Sequence, residues 1–219
     1  MSGVVKACLV DVWQTILSGD FEARIASLTA YAGVDTEVWL AEWLSTAVER
    51  DRGNVSVTDS VAQALLVCGV EPRPELIADL MRYDADAMRE TVRLYDDSVP
   101  FLASLRSQGI LIALVSNCAD TTRPVLDHLG VFPLVDAAIL SCEVGSAKPS
   151  PEIYLAALDQ LGVAATDAVF IDDQHGFCVG AEAVGVRAIQ ITRHGQDGLS
   201  ANASDFPIVS TLLDAPRYF

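Results

Sequence analysis

Three apolar runs, each too short for a typical helix, stop at polar side chains. Val4-Val5-Lys6-Ala7-Cys8-Leu9-Val10 stops at Asp11, Ile110 to Val115 at Ser116-Asn117, and Ala168 to Ile171 at Asp172-Asp173. A short apolar run of this kind reads as a strand buried on both faces, the signature of a parallel sheet covered by helices. Open parallel sheets place their ligands beyond the carboxyl ends of their strands. Asp11, Ser116-Asn117 and Asp172-Asp173 all stand at such ends.

The second half of the chain alternates strand and helix around these runs. A helix is expected within Asp120 to Leu129, stopped by Gly130, and a short strand at Ala137 to Leu140. Ser150-Pro151-Glu152 opens another helix, with Ser150 as cap and Pro151 in the first turn. Its residues Ile153, Tyr154, Ala157, Leu158 and Leu161 keep helical spacing, and Gly162 ends it. A small-residue helix around Val179 to Val184 leads to a strand at Arg187 to Ile191. The stretch Gly195 to Phe206 is polar and loop-like, and Ile208 to Leu213 reads as a short edge element. The fold class is therefore α/β: a Rossmann-like parallel sheet with helices on both faces.

Residues 18–93 break the alternation. Helices are expected near 20–32, 36–50, 57–68 and 73–91, separated by Gly33, Gly53 and Gly69 to Pro74. Trp39, Trp43, Ala47 and Arg50 recur at helical spacing, as do Leu76, Leu80 and Tyr83. Tryptophans so spaced are core-forming rather than ligand contacts. Residues 1–17 and 94–219 then form the α/β core, and 18–93 a helical cap inserted after the first strand, over the edge that carries Asp11.

A net charge of −16, from 30 acidic and 14 basic residues, repels phosphate backbones and anionic membrane surfaces. Neither nucleic acid nor membrane is expected as a partner, and a small anionic substrate needs a local cation. Arg24 and Arg50 could hold a substrate carboxylate from the cap, but a solvated surface role is the plainer expectation. The five cysteines lack paired spacing and read as reduced, packed thiols. His175 reads as a loop residue rather than a base. No stretch reaches the roughly 20 apolar residues of a membrane span, and no signal peptide is evident, so a cytoplasmic protein is expected.

Val10-Asp11-Val12-Trp13-Gln14-Thr15-Ile16-Leu17, Val115-Ser116-Asn117, Gly145 to Tyr154 around Lys148-Pro149, and Phe170-Ile171-Asp172-Asp173 with Gly180 to Gly185 occur in this order. Together they resemble the four motifs of the haloacid dehalogenase superfamily, over nearly the whole chain. The resemblance implies Asp11 as nucleophile and Lys148 against both Asp11 and the substrate anion. Ser116 would donate its hydroxyl beside the amide of Asn117, with Thr15 and Trp13 also near substrate. Asp11, Asp172, Asp173 and the backbone carbonyl of Trp13 would hold Mg²⁺, a hard cation that prefers oxygen ligands.

Two departures bear on the reaction. The superfamily's usual Asp-x-Asp-Gly-Thr reads Asp11-Val12-Trp13-Gln14-Thr15 here, so tryptophan replaces the aspartate that protonates the leaving group. Phe177 stands where asparagine or aspartate usually supports the metal site. Three readings follow. The first is a Mg²⁺-dependent phosphohydrolase acting on a small phosphorylated metabolite with a good leaving group, or drawing its proton from elsewhere. The second is a metal-independent, 2-haloacid dehalogenase-like hydrolase, since those enzymes carry an aromatic residue at the position of Trp13. The third is a non-catalytic descendant that binds an anion or a partner. The oligomeric state has no signature in the sequence.

Overall fold

The computed structural model describes residues 4–193 and 206–219; the loop expected across 195–205 lies outside them. Strand β1 (Ala7–Val10) runs into a tight turn and then β2 (Leu17–Ser18), which pairs with β3 (Arg93–Leu94) as an antiparallel ribbon. Five helices lie between these two short strands: α1 (Phe21–Ala32), α2 (Thr36–Ser45), α3 (Ala47–Asp51), α4 (Val57–Val67) and α5 (Pro74–Thr91). Then follow α6 (Ser98–Ser107), β4 (Leu111–Ser116), α7 (Thr122–His128), β5 (Ala137–Leu140), α8 (Ser141–Val144) and α9 (Pro151–Leu161). The chain closes with β6 (Ala168–Asp172), α10 (His175–Ala183), β7 (Arg187–Ile191) and β8 (Ile208–Val209), the expected edge element.

The six-stranded sheet is parallel throughout, in the order β5-β4-β1-β6-β7-β8. The strand ending at Asp11 thus lies between those ending at Ser116 and Asp172. Because strand side chains alternate, β1 serves two layers at once. Cys8 and Val10 face Phe101, Leu105 and Leu126 of α6 and α7, while Ala7 and Leu9 face Tyr154, Ala157 and Ala181 of α9 and α10. This two-sided burial is why the central strands read as continuous apolar runs.

Helices α1, α2, α4 and α5 share a separate hydrophobic cluster of Ile25, Leu28, Trp39, Trp43, Val61, Leu65 and Leu80. Trp39 and Trp43 are core residues, as their spacing implies. The helix expected over 36–50 is instead two, broken at Thr46, whose backbone leaves helical values. Its hydroxyl donates back to the carbonyls of Glu42 and Trp43, competing with the helical ladder. Ser150 occupies the cap position of α9 but makes no capping hydrogen bond, so Pro151 in the first turn and Gly162 in the left-handed conformation bound this helix. His175 is not a loop residue: α10 starts there, because the amides of Phe177 and Cys178 already bond back to Gln174. Its side chain is exposed. All five cysteines are free thiols, three of them buried. Among the described residues no helix is long and apolar enough to cross a membrane.

Candidate active site

Register brings the polar strand ends together. Val10 pairs with Leu114 on one side and Ile171 on the other, so Asp11 stands level with Asp172 and one residue short of Ser116. The Asp11 amide extends the β6 ladder by donating to the Ile171 carbonyl at 2.9 Å. Carboxylate oxygens of Asp11, Asp172 and Asp173, all buried, lie within 4.8 Å of one another.

Lys148 enters this cluster from the segment before α9. Its Nζ donates to Asp11 Oδ1 at 2.5 Å and to Asp172 Oδ2 at 2.6 Å. The side-chain amide of Asn117 clamps the lysine backbone, donating to the Lys148 carbonyl at 2.8 Å and accepting from its amide at 2.6 Å. The Asn117 side chain thus holds the Lys148 backbone, a contact that strand-end reasoning does not suggest. The ammonium lies 4.9 Å from the centre of the Phe177 ring and 5.4 Å from that of Phe170. Phe177 thus walls the lysine with an aromatic ring where the superfamily pattern has a polar side chain.

The charges are strongly coupled. Burial disfavours the Lys148 charge, but Asp11 and Asp172 outweigh it and hold the ammonium above its ordinary range. Burial pushes the Asp172 carboxyl up, and Asp11 adds to this; Lys148 and the Gln174 amide pull the other way without cancelling it.

The turn after Asp11 is tightly built. The amides of Ile16 and Leu17 bond to the Val12 carbonyl, and Gln14 takes a left-handed φ of 58°. Glycine is usual in the superfamily pattern at this position, and its lack of Cβ explains why. Here the Gln14 side chain holds the turn, donating to the Gly19 carbonyl at 2.8 Å and accepting from the Tyr95 hydroxyl at 2.9 Å. Thr15 is fully buried, and its hydroxyl has no hydrogen-bond partner among the described residues. Ser116 is buried too, its hydroxyl 3.5 Å from the Asn117 carbonyl.

Trp13 is half-buried and lines a cavity of about 330 Å³ between this turn and the helical segment. Met88, Val92 and Trp43 supply apolar wall, and Arg50 and Asp51 supply charge. Asp11 and Lys148 lie outside the cavity's lining. Arg50 is not the solvated side chain expected from sequence. It is buried, donates to the Trp43 carbonyl at 2.7 Å and to the Thr46 hydroxyl, and stacks 3.9 Å from the Trp43 ring centre. Arg24 is spent on a two-point pair with Asp84, at 2.6 and 2.5 Å. Asp51 carries little sequence signal: only a charged Arg50-Asp51-Arg52-Gly53 turn, ending in glycine, marks it.

Fold and site together define a Rossmann-like α/β protein with a lysine-bridged carboxylate centre at the C-terminal edge of its sheet. The chain belongs to the haloacid dehalogenase-like hydrolases, whose family pattern matches residues 5–185. A phosphatase of Mycobacterium tuberculosis is 32% identical over 159 residues, covering 66% of this chain and 72% of that protein. A glyceraldehyde 3-phosphate phosphatase of Methanopyrus kandleri is 30% identical over 152 residues, covering 68% of this chain and 64% of that protein. An (S)-2-haloacid dehalogenase of Burkholderia cepacia is 25% identical over 87% of this chain and 84% of its own. The crystal structure of a phosphatase of this superfamily from Thermococcus onnurineus superposes with a TM-score of 0.69 at 25% identity, covering 98% of this chain and 97% of that one.

Proposed function

We propose that the protein is a Mg²⁺-dependent phosphohydrolase acting on a small phosphorylated metabolite, with Asp11 as nucleophile. The observation that carries this reading is the buried set of three carboxylates around Asp11. Oxygen donors within 4.8 Å of one another suit a hard cation, and one lysine leaves them under-neutralised. Asp11, Asp172, Asp173 and the Trp13 carbonyl would hold the ion. Bound there, it would offset the mutual repulsion of Asp11 and the substrate phosphate.

The chain's own groups divide the remaining work. Asp11 attacks phosphorus. Lys148 donates a hydrogen bond to Asp11 and neutralises the incoming anion, and Asn117 holds Lys148 in place. The hydroxyl of Ser116 and the unpartnered one of Thr15 are donors at the same strand ends. Residues 18–93 serve as the cap that closes the substrate space.

Trp13 favours the second reading. Its indole N–H is no usable acid. A positioned acid is worth about 10²- to 10⁴-fold, or about 3–5 kcal/mol of barrier. Halide departs without a proton, so attack on carbon would not suffer from its loss. Phosphate and halide release from panels of phosphorylated metabolites and 2-haloacids, with and without Mg²⁺, separates the two. Phosphate release requiring Mg²⁺ supports the first; halide release without metal replaces it.

A further inference from the structure

Cleaving an alkyl phosphate requires a proton on the departing oxygen, and the residue two after Asp11 cannot give one. Two carboxylate residues line the cavity with Trp13: Asp20, whose side chain is spent capping α1, and Asp51, the last residue of α3. The surroundings of Asp51 hold it still from both ends. On one side Arg50 is buried and tied to Trp43 and Thr46. On the other, Gly53 has a φ of 72°, and its backbone presses so closely on α8 that a Cβ there would lie 2.0 Å from the Cys142 carbonyl oxygen. Asp51 sits between these anchors, half-buried, and its carboxyl makes no hydrogen bond or ion pair with another described residue. It shares the cavity with Trp13 and Gln14 of the turn that follows Asp11.

We infer that Asp51 is the general acid of the hydrolysis, reaching from the helical segment to supply the proton that Trp13 cannot. The inference rests on the phosphohydrolase reading. In the first step Asp11 forms a bond to phosphorus and the phosphorus–oxygen bond of the ester breaks. The electron pair passes to the leaving oxygen, and Asp51 transfers its proton there, releasing the alcohol. In the second step Asp51, now ionised, takes a proton from the water that attacks the aspartyl phosphate. The phosphorus–oxygen bond to Asp11 breaks, its electron pair returns to the Asp11 carboxylate, and inorganic phosphate departs, which leaves both carboxyls in their starting states.

An acid in this role must hold its proton near neutrality. Burial raises the Asp51 carboxyl above its ordinary range, and Arg50 and Lys148 oppose this without cancelling it. Cys118 also interacts with it, Arg24 and Asp20 line the same cavity, and α8 beneath carries Cys142 and Glu143, the latter paired to Arg123. A bound phosphate dianion would push the carboxyl further toward its protonated form.

Asp51→Asn keeps the shape and removes the proton. With Mg²⁺ present, its single-turnover rate of leaving-group release from a small alkyl phosphate should fall by about 10²-fold or more, while the loss on p-nitrophenyl phosphate, read in the same first step, stays below about tenfold. KM should change little, and the fall of wild-type alkyl turnover with rising pH should vanish from the variant's profile. Asp51→Glu should recover part of the alkyl activity, and a thermal melt verifies folding. Equal losses on alkyl and aryl substrates, or a change confined to KM, would overturn the assignment while leaving the phosphohydrolase reading intact. Absence of phosphate release from either substrate by the wild type would overturn both.

Discussion

Replacing Lys148 by methionine tests the electrostatic account of the site through stability, independently of any substrate. The variant keeps an unbranched apolar stem and removes the ammonium that lies 2.5 Å from Asp11 and 2.6 Å from Asp172. At an effective dielectric constant of about 20, each contact is worth about 6–7 kcal/mol of attraction. Burying the lysine charge costs several kcal/mol, which the variant recovers, and partial protonation of the carboxyls recovers more. The remaining deficit should be about 3–5 kcal/mol, the usual range when one member of a buried ion pair is removed. The deficit should depend on pH. Without the ammonium, which opposes the rise of the Asp172 carboxyl, the folded variant retains a proton on Asp172 that the unfolded chain, with carboxyls near about 4, releases. The folded state then binds more protons, so the variant's stability is greatest below about pH 4 and falls as pH rises through the raised folded values. Urea denaturation across pH 5 to 8 measures this, provided that the m-value is unchanged. Added Mg²⁺ should restore part of the loss. A deficit below about 1 kcal/mol at pH 8, or one that does not vary with pH, would refute the reasoning.

Gly53→Ala would put a methyl group against the Cys142 carbonyl and a side chain at positive φ. The turn must lift, costing about 1–3 kcal/mol in denaturation experiments, and alkyl phosphate turnover should fall more than aryl as Asp51 is displaced. At Gln14, both Gln14→Ala and Gln14→Gly lose the bonds to Gly19 and Tyr95, but only alanine pays for the left-handed φ. The glycine variant should be the more stable by about 1 kcal/mol in urea, and equal midpoints would mean that the turn relaxes.

The core and its polar strand ends were legible because each strand's apolar run terminates where its functional side chain begins. Asp11, Ser116 and Asp172 need only strand order and register to converge, and both follow from parallel strand–helix units. Lys148 was legible through its Lys-Pro context, whereas its clamp by Asn117 depends on side-chain direction, which spacing does not carry. The helical segment was harder. Apolar spacing located its helices, yet nothing in that spacing reveals the break at Thr46 or the burial of Arg50 against Trp43. Those two features aim Asp51, so the residue assigned as acid depends on local polar bonding within a charged turn. His175 escaped because a polar, glycine-containing start hides the first turn of α10.

The central claim is that Asp11 attacks phosphorus with a metal present, and a trapped covalent intermediate tests it most directly. Protein mixed with p-nitrophenyl phosphate and Mg²⁺, quenched in acid on the time scale of one turnover and digested, should show the mass of one phosphoryl group on the peptide containing Asp11. The adduct should disappear with Asp11→Asn and when the metal is chelated. A protein that releases phosphate with no adduct on that peptide, under conditions where breakdown of the intermediate limits the rate, would contradict the account. So would an ester formed at Asp11 from a 2-haloacid without metal.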